Sequence, residues 1–312
     1  MNDRFVWIAA PVHDLLRKGL EQRGYTLIDD SNFERSASIK ILSCCEGVIT
    51  STRLKIDREM IDAAPHLKWI GRMGSGMELI DVAYAESKGI LVTSSPEGNS
   101  NAVAEHALGM LLNLIRRIGW SCNEVRAGQW FREENRGIEL EGKTIGIIGF
   151  GNTGQAFAKK LSGFDATLLV YDKYRQDGFP NYVSACPSLD PIWENADIIS
   201  FHVPLQNDTH HYCNEAFIAN AKKSFILINT SRGEVAETKA IAIGLKSGKL
   251  RGACLDVLEG EPLSALNPSD ALLVAEMIGL PTVIITPHIA GYTYEAIEKM
   301  SQILLQKIVM DK

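Results

Sequence analysis

The chain has 312 residues, of which 46% are hydrophobic and 22% charged, and its formal net charge at pH 7 is −6. This length exceeds what one domain usually needs, and the composition is that of a globular protein with a substantial core. The mild acidity argues against nucleic acid as a partner, because binding phosphates requires a concentrated basic surface.

The first residues predict a strand rather than a secretory leader. The stretch MNDRFVWIAAPV carries Asp3 early, and its apolar run stops at Pro11. The strongest apolar stretch, AVAEHALGMLLNLI, contains Glu105 and His106, and no apolar run is long enough to span a bilayer. We expect a cytoplasmic protein that does not contact a membrane.

Strands and helices alternate through the first third of the sequence. The predicted elements are the strand RFVWIAA, a helix in PVHDLLRKGLEQRG that ends at Gly24, the strand GVITS, the helix DREMIDAAPHL, the strand KWIGRMG, the helix DVAYAESKG and the strand ILVTS. This alternation is typical of a parallel sheet flanked by helices.

A long predicted helix interrupts the alternation. SPEGNSNAVAEHALGMLLNLIRRIGW predicts a helix of about five turns, for which Asn99 or Ser100 is a suitable N-cap, and we place a domain border at its start. A second set of buried strands follows: KTIGIIGF, TLLVYD, DIISFHVPL, SFILINTSRG, GACLDV and TVIITPH. The chain ends in the amphipathic helix YTYEAIEKMSQILLQKIVM. The sequence thus predicts an α/β protein with two doubly wound parallel-sheet domains.

A glycine-rich turn joins the first strand and the first helix of the second half. It reads GFGNTG, and the next strand ends at Asp172, 18 residues after Gly154. In this setting the pattern predicts a dinucleotide site. Gly149 makes the tight turn, Gly151 allows close approach of a pyrophosphate, and Gly154 lets the helix lie near the strand. The helix N-terminus adds partial positive charge.

Asp172 bears on the choice of cofactor. A carboxylate here accepts hydrogen bonds from ribose hydroxyls and repels a 2′-phosphate, so NAD is favoured over NADP. Lys173 and Arg175 follow closely and weaken this preference. The alternative is an ordinary turn whose following strand ends by chance in an acidic residue. The residues of this region expected to contact the cofactor are Gly149, Gly151, Asn152, Thr153, Gly154 and Asp172.

Further candidate residues follow the later strands, where open parallel sheets bind their ligands, and most of them are polar. They are His202, Val203 and Pro204; Asn229, Thr230, Ser231 and Arg232; Asp256, Glu259 and Glu261; and His288. A histidine suits removal of a hydroxyl proton, a neighbouring carboxylate fixes its ring, and an arginine holds a substrate carboxylate by two parallel bonds. The set predicts hydride transfer between NAD and an alcohol.

Ordered segments of the chain resemble the D-isomer-specific 2-hydroxyacid dehydrogenases. GFGNTGQAFA, NTSRGEVAE, LDVLEGEP and TPHIAGYT carry the resemblance, and GMELIDVAYAESKGILVTSSPEGNSNAVAEHALGML and VRAGQW extend it. It implies a flavodoxin-like substrate-binding domain of residues 1–98 plus 291–312, to which the last helix returns. It also implies a Rossmann NAD-binding domain of residues 99–290, with the active site in the cleft.

The resemblance implies roles for individual residues. Arg232 of SRG binds the substrate carboxylate and carbonyl, Glu261 of LEGEP pairs with the histidine, and His288 of TPH is the general acid and base. Asp256 lies near the nicotinamide. The loop whose N–H groups bind the substrate carboxylate consists of Gly74, Ser75 and Gly76. The further residues assigned to the cofactor are His202, Val203, Pro204, Thr209, Thr230, Ser231, Asp256 and Gly291.

The sequence leaves the 2-hydroxy acid open. The phosphoglycerate dehydrogenases of the family resemble this chain at IGRMGSGMELIDVAYAESKGI, where Arg72 matches a basic residue near the substrate. A second arginine, which helps to hold the phosphate in those enzymes, aligns with Ser51, and Arg53 lies two places on as a substitute. The family's usual asparagine is replaced by Leu79. 3-Phosphoglycerate is the first candidate, and glyoxylate, hydroxypyruvate or another small 2-keto acid is the alternative.

Other interpretations concern partners and alternative functions. Members of the family are usually dimers built across their cofactor domains, so we expect a homodimer and a small-molecule substrate. Relatives of this fold that bind NAD without catalysis form the alternative class, and formate-oxidising relatives replace the glutamate that is present here as Glu261. We expect no metal site, six unpaired thiols, an exposed pair at His210 and His211, and a structural partner for His106. Trp120 and Trp130 are expected to pack or to anchor a dimer.

Overall fold

The computed structural model describes residues 4–30 and 33–310, without the side chains of residues 309 and 310. The chain divides into two compact units, residues 1–100 with 291–312 and residues 101–290. The expected domain border, before residue 99, stands two residues earlier than this division. Within the described ranges, no helix combines the length and the apolar character that crossing a membrane requires.

The first unit contains a five-stranded parallel sheet. Its strands are β1 (Arg4–Ile8), β2 (Tyr25–Ile28), β3 (Cys45–Thr50), β4 (Trp69–Arg72) and β5 (Leu91–Ser94), in the spatial order β2-β1-β3-β4-β5. Its first helices are α1 (Asp14–Glu21), α2 (Arg35–Leu42), α3 (Arg58–Asp62) and α4 (Val82–Ser87). This strand order is that of the flavodoxin-like doubly wound fold.

The C-terminal helix α12 (Tyr294–Met310) belongs to the first unit. It packs against α1, β4 and β5. Its Lys307 Nζ donates to the backbone carbonyl of Ser94 at 2.9 Å, and its Ser301 Oγ accepts a hydrogen bond from the His13 backbone N–H at 3.0 Å. The predicted return of the last helix to the first sheet is confirmed.

The second unit contains a seven-stranded parallel sheet with the strand order of a Rossmann fold. Its strands are β6 (Thr144–Ile148), β7 (Thr167–Tyr171), β8 (Ser184–Ala185), β9 (Ile198–Phe201), β10 (Phe225–Asn229), β11 (Leu250–Leu255) and β12 (Val283–Ile285), in the order β12-β11-β10-β9-β6-β7-β8. The helices that follow α4 are α5 (Pro96–Ile115), α6 (Ile118–Arg126), α7 (Asn152–Leu161), α8 (Asp190–Asn195), α9 (Glu215–Asn220), α10 (Thr238–Lys246) and α11 (Pro268–Ile278).

The central strands of the second sheet are apolar on both faces. In β10, Leu227 belongs to one buried cluster, whereas Ile226 and Ile228 belong to the other. Alternate residues of a strand point to opposite faces, so both faces of this sheet are covered by helices. A ligand can therefore approach this sheet only at the strand ends, near the switch point between β6 and β9.

Two features of the secondary structure differ from the sequence-based expectation. Helix α5 begins at Pro96, so Asn99 and Ser100 lie inside the helix and the predicted N-cap is wrong. Proline is well suited to the first turn, where its missing N–H has no intrahelical partner to lose. Strands β2 and β8 and helices α2 and α6 were not predicted. The two residues of β8 are both exposed, which leaves no periodic signal to read.

Candidate active site

The glycine-rich turn joins β6 to α7. Gly149 has φ +90°, and a Cβ at this position would overlap the carbonyl oxygen of His202. A Cβ on Gly154 would overlap the carbonyl oxygen of Gly149, so α7 reaches the turn only because residue 154 has no side chain. A Cβ on Gly151 would meet nothing within 4 Å. Gly151 thus leaves space at the N-terminus of α7, where a pyrophosphate would fit.

The carboxylate of Asp172, just after β7, is held by three backbone N–H groups. Oδ2 accepts from Phe150 at 2.6 Å, and Oδ1 accepts from Tyr174 and Arg175 at 2.9 Å each. Burial by itself raises the pKa of Asp172, but the three hydrogen bonds outweigh it and hold that pKa below its usual value. An anion therefore stands beside the glycine turn at neutral pH.

The two cations that follow Asp172 are bound to other groups. Lys173 Nζ lies 2.5 Å from a carboxylate oxygen of Asp208. Arg175 Nε donates to the carbonyl of Asp177 at 3.0 Å, and its guanidinium lies 5.3 and 5.2 Å from the centres of two phenyl rings. These rings belong to Phe150 and Phe179. Lys173 and Arg175, which weaken the predicted preference for NAD, are thus both bound to groups of the second unit.

Residues 202–204 follow β9, and His202 and Val203 lie against the glycine turn. The imidazole of His202 is half-buried, its Nε2 lies 2.8 Å from Ser200 Oγ, and its ring centre is 5.1 Å from that of Phe157. Burial lowers the pKa of His202 to about 3. The side chain of His202 therefore points into the core as a neutral ring, and its backbone is the part that meets Gly149. The assignment of Val203 and Pro204 to the cofactor stays a prediction.

His288 and Glu261 form a hydrogen-bonded pair at the carboxyl end of the second sheet. Nδ1 of His288, which follows β12, is bonded to Oε1 of Glu261, and the backbone N–H of Leu258 donates to Oε2 at 3.1 Å. Burial by itself raises the pKa of Glu261, but the bond to His288 and the positive charge of Arg232 lower it overall. Glu261 is therefore ionised, and it fixes the imidazole with Nε2 directed away from the carboxylate.

Arg232 is carried to this pair by a close contact between two loops. The next residue, Gly233, is buried, and a Cβ there would overlap the backbone of Leu258. The segment that bears Arg232 thus lies directly against the segment that bears Glu261. Nη1 of Arg232 donates to the carbonyl of Ser231 at 2.6 Å, and the positive charge of Arg232 contributes to the lowered pKa of Glu261. The structure brings together the three residues that the sequence assigned to catalysis, although their roles stay predictions.

Asn229, the last residue of β10, organises the turn before Arg232. Its Nδ2 donates to the carbonyl of Arg232 at 2.8 Å, and its Oδ1 accepts from the N–H and the hydroxyl of Ser231 at 3.1 and 2.7 Å. The hydroxyl of Thr230 is buried and has no hydrogen-bond partner among the described residues, and its contact with the cofactor stays a prediction. The sequence placed Asn229 at the rim but assigned it no role.

Asp256 is 1% exposed and holds the turn that carries His288. Its backbone carbonyl accepts from the His288 N–H at 2.8 Å, and its carboxylate accepts from Thr286 Oγ1 at 2.5 Å. The other donors to the carboxylate are the N–H groups of Ile289 at 3.0 Å and Ala290 at 2.8 Å. Nε2 of His106 lies 3.0 Å from Thr286 Oγ1, which confirms a structural partner for His106. These hydrogen bonds account for the burial of Asp256, and its contact with nicotinamide stays a prediction.

In the first unit, the residues assigned to the substrate follow β4. Gly74 has φ +126°, and its N–H donates to Ser95 Oγ at 3.3 Å. Arg72 is 6% exposed, and its guanidinium donates to the carbonyls of Gly76, at 3.0 Å, and Met73. Arg72 therefore supports the loop from inside. The exposed residues of this group are Ser75 and Arg53.

Two further residues assigned to the cofactor have clear local surroundings. Thr209 is 8% exposed, and its hydroxyl lies 2.6 Å from the carbonyl of Pro204 and 2.7 Å from the N–H of Gln206, so it closes the loop after β9. Gly291 belongs to the first unit, where a Cβ would lie 2.7 Å from the Asn99 side chain. Their contacts with the cofactor stay predictions.

His211 corrects the expectation of an exposed histidine pair. His210 is exposed, but the ring of His211 is stacked on it at 4.0 Å and its Nε2 lies 2.5 Å from Glu259 Oε1. The pairing was missed because 48 residues separate the two partners. Across the described part of the chain, no three or more His, Cys, Asp and Glu side chains converge as a metal ion requires.

Comparisons with known proteins identify the family of the chain. The model of the D-isomer specific 2-hydroxyacid dehydrogenase NAD binding domain matches residues 108–290. A glyoxylate reductase of Thermofilum pendens is 40% identical over 263 residues, which are 82% of this chain and 75% of that protein. A D-3-phosphoglycerate dehydrogenase of Archaeoglobus fulgidus is 32% identical over 305 residues, which are 97% of this chain and 56% of that protein.

A solved structure extends the agreement to the whole fold. The D-lactate dehydrogenase of Aquifex aeolicus, complexed with NAD and lactic acid, has a TM-score of 0.85 and 29% identity, with 98% of this chain and 94% of that chain covered. The predicted fold class, enzyme class and cofactor are confirmed. The chain belongs to the D-isomer-specific 2-hydroxyacid dehydrogenase family, whose members use NAD and act on CH–OH groups.

Proposed function

We propose that the chain interconverts a small, unphosphorylated 2-keto acid, such as glyoxylate or hydroxypyruvate, and the corresponding 2-hydroxy acid. The observation that carries the chemistry is the convergence of Arg232, Glu261 and His288 at the carboxyl end of the NAD-binding sheet. NADH supplies the hydride when it is bound, held by the turn at residues 149–154 and by Asp172.

The chain's own residues hold the acid and move the proton. In the direction of reduction, Arg232 binds the carboxylate of the keto acid and polarises its carbonyl. The imidazolium of His288 gives the proton on Nε2 to the carbonyl oxygen, and the product hydroxyl keeps that proton. The anion of Glu261 stabilises the charged ring and keeps Nδ1 out of the reaction.

The arginines of the first unit support an unphosphorylated substrate. A phosphate dianion requires two or more positive partners. Arg72 is 6% exposed and donates to two carbonyls of its own loop, and Ser51 occupies the place of the second phosphate-binding arginine. Arg53 is exposed on a bend. The relative that is 40% identical is a glyoxylate reductase.

A panel of 2-keto acids tests this proposal. Glyoxylate, hydroxypyruvate, pyruvate and 3-phosphohydroxypyruvate are each offered with NADH, and kcat/KM is measured from the loss of NADH absorbance. We expect the highest kcat/KM with glyoxylate or hydroxypyruvate. A higher value with the phosphorylated acid would overturn the substrate class. NADH binding without turnover of any acid would favour the non-catalytic alternative.

We further infer that the chain forms a homodimer through its NAD-binding units. Helix α6 buries none of its residues. The exposed apolar side chains on and after this helix are Ile118, Trp120, Val125, Trp130 and Phe131. A patch of this kind marks a protein interface, and a second copy is the partner that family resemblance implies.

The mass in solution tests the dimer. We expect twice the chain mass for the parent and a shift to monomer for Trp130→Asp, since Trp130 is 77% exposed in the single chain. Leu272→Asp on α11 is the matched control, because Leu272 is also exposed, at 69%, and lies outside α6. A monomeric parent, or an unchanged dimer in Trp130→Asp, would contradict the proposed interface.

We also place the protein in the cytoplasm. Its six cysteines are free thiols, three of them buried, which suits a reducing compartment. The residues are Cys44, Cys45, Cys122, Cys186, Cys213 and Cys254. Cell fractionation with detection of the chain is the test, and recovery from an oxidising compartment would count against this location.

A further inference from the structure

The loop that carries Glu261 also carries a second glutamate–histidine pair. Glu261 pairs with His288, and two residues earlier Glu259 Oε1 lies 2.5 Å from Nε2 of His211. Both histidines have positive φ, 54° for His288 and 50° for His211. This region is costly for residues other than glycine, so local bonds must hold each histidine in place.

Glu259 joins its loop to two other segments of the second unit. Its Oε1 faces His211, and its Oε2 accepts from the backbone N–H of Thr238, at the start of α10, at 2.5 Å. The side chain is 19% exposed. Its own backbone, with that of Leu258, lies where a Cβ on Gly233 would be. One carboxylate thus connects the loop of Glu261 with the segment of His211 and with the start of α10.

The segment of His211 is in turn paired with the segment that comes after Arg232. The N–H of His211 donates to the carbonyl of Glu234 at 2.7 Å, and that of Cys213 donates to Val235 at 2.9 Å. Glu237 N–H then donates back to Cys213 at 3.1 Å. The segments 209–213, 232–238 and 258–261 therefore form one hydrogen-bonded assembly, which the Glu259 carboxylate closes.

We propose that the Glu259–His211 pair is a brace that fixes Arg232 and Glu261 relative to each other for hydride transfer. The inference rests on the proposed roles of those two residues. Glu259 and His211 are positioning residues. A displacement of about 1 Å can cost roughly 100-fold in rate, so loss of the brace lowers kcat. The phosphate-binding turn keeps its conformation.

Three variants separate the brace from a general structural role. Glu259→Ala removes both bonds of the carboxylate, and His211→Asn shortens the partner while retaining a residue that tolerates positive φ. Glu259→Gln can still accept from the Thr238 N–H through its amide oxygen and place its amide nitrogen beside Nε2 of His211. Glu276→Ala, an exposed change on α11, is the control.

Steady-state kinetics with glyoxylate and NADH, together with NADH titration, give the first readout. We expect kcat to fall about 10- to 100-fold in Glu259→Ala and His211→Asn while the Kd for NADH is unchanged. Glu259→Gln should keep most of the parent kcat. Parent-like kcat in Glu259→Ala, or loss of NADH binding in step with kcat, would overturn the brace.

Backbone amide exchange gives a second readout that does not depend on activity. We expect faster exchange over residues 231–238 and 257–262 in Glu259→Ala than in the parent, and no change there in Glu276→Ala. Unchanged exchange in these segments would overturn the brace whatever happens to kcat. If the parent turns over no 2-keto acid, the proposed function has failed, and the exchange result still decides whether Glu259 holds the assembly together.

Discussion

The two sheets of the chain share an architecture and differ in the side chains that lie just beyond their strands. After β4 of the first sheet, the buried guanidinium of Arg72 donates to carbonyls of its own glycine loop. After β10, β11 and β12 of the second sheet, Arg232, Glu261 and His288 come together. Since both sheets are doubly wound, the chemistry depends on the residues at the strand ends rather than on the fold.

Shifted carboxylate pKa values occur in both units, and their surroundings differ. In the first unit, the Arg35 guanidinium lowers the pKa of Asp57, and Arg58 lowers that of Asp81, in ion pairs open to solvent. In the second unit, the shifted carboxylates of Asp172 and Glu261 lie at the strand ends. A lowered pKa therefore points to function only when its position does so as well.

The largest expected effect comes from replacing His288 or Arg232, which lie just beyond the strands of the second sheet. Because general acid catalysis typically contributes about 10²- to 10⁴-fold, His288→Ala should lower kcat by about 10³-fold, and Arg232→Ala should lower kcat/KM comparably. NADH titration should give the parent Kd, since neither residue holds the phosphates. The matched change in the first unit, Arg58→Ala, should leave turnover intact. Near-parent turnover by both His288→Ala and Arg232→Ala would contradict the proposed roles of His288 and Arg232.

A pair of glycines, one in each unit, sharpens the comparison. A Cβ on Gly154 would overlap the Gly149 carbonyl, and a Cβ on Gly47 would overlap the ring of Trp69 in the first core. Overpacking of this kind typically costs about 1–3 kcal/mol, so both alanine variants should unfold at lower denaturant concentration. Only Gly154→Ala should also weaken NADH binding, by about tenfold. Equal NADH Kd in the two variants would remove Gly154 from the cofactor site.

Much of the fold could be predicted because its signals are local. Strands such as β10 read as short apolar runs, and Gly24, Gly89 and Gly149 mark where elements end or turn. The resemblance supplied the order of the catalytic residues. The two exposed residues of β8 carry no comparable signal.

The parts that could not be predicted depend on side-chain direction and long-range pairing. The sequence shows that Arg72 is basic but not that its guanidinium turns toward the Met73 and Gly76 carbonyls. It shows a histidine at 202 but not that the ring enters the core beside Ser200. Such outcomes are decided by packing between distant segments, which residue type alone does not specify.

A smaller effect is expected on the choice of cofactor. The Asp172 anion repels a 2′-phosphate, and Lys173 and Arg175 are bound to other groups. Asp172→Ser removes the repulsion. The Kd for NADPH divided by the Kd for NADH should therefore fall, on the order of tenfold. Asp57→Ser, at the shifted carboxylate of the first unit, is the matched control. An unchanged ratio in Asp172→Ser would mean that another residue selects the ribose.

The smallest expected effect is the pH dependence that Glu261 adds to stability. Its folded-state pKa is below the ordinary 4.5, so its stabilising contribution is present above that value and is lost as pH falls through the lowered pKa. The Tm difference between the parent and Glu261→Gln should therefore be full above about pH 5 and shrink in acid. This Tm difference should be smaller than the one for Glu46→Gln in the first unit, because solvent screens a more exposed charge more strongly. The pKa of Glu46 is also lowered, by Lys68 and Arg4. The Glu46 side chain is 16% exposed, whereas that of Glu261 is 36% exposed. A Tm difference that does not change with pH would show that folding leaves the proton affinity of Glu261 unaltered, and its ionised pairing with His288 would then have to be abandoned.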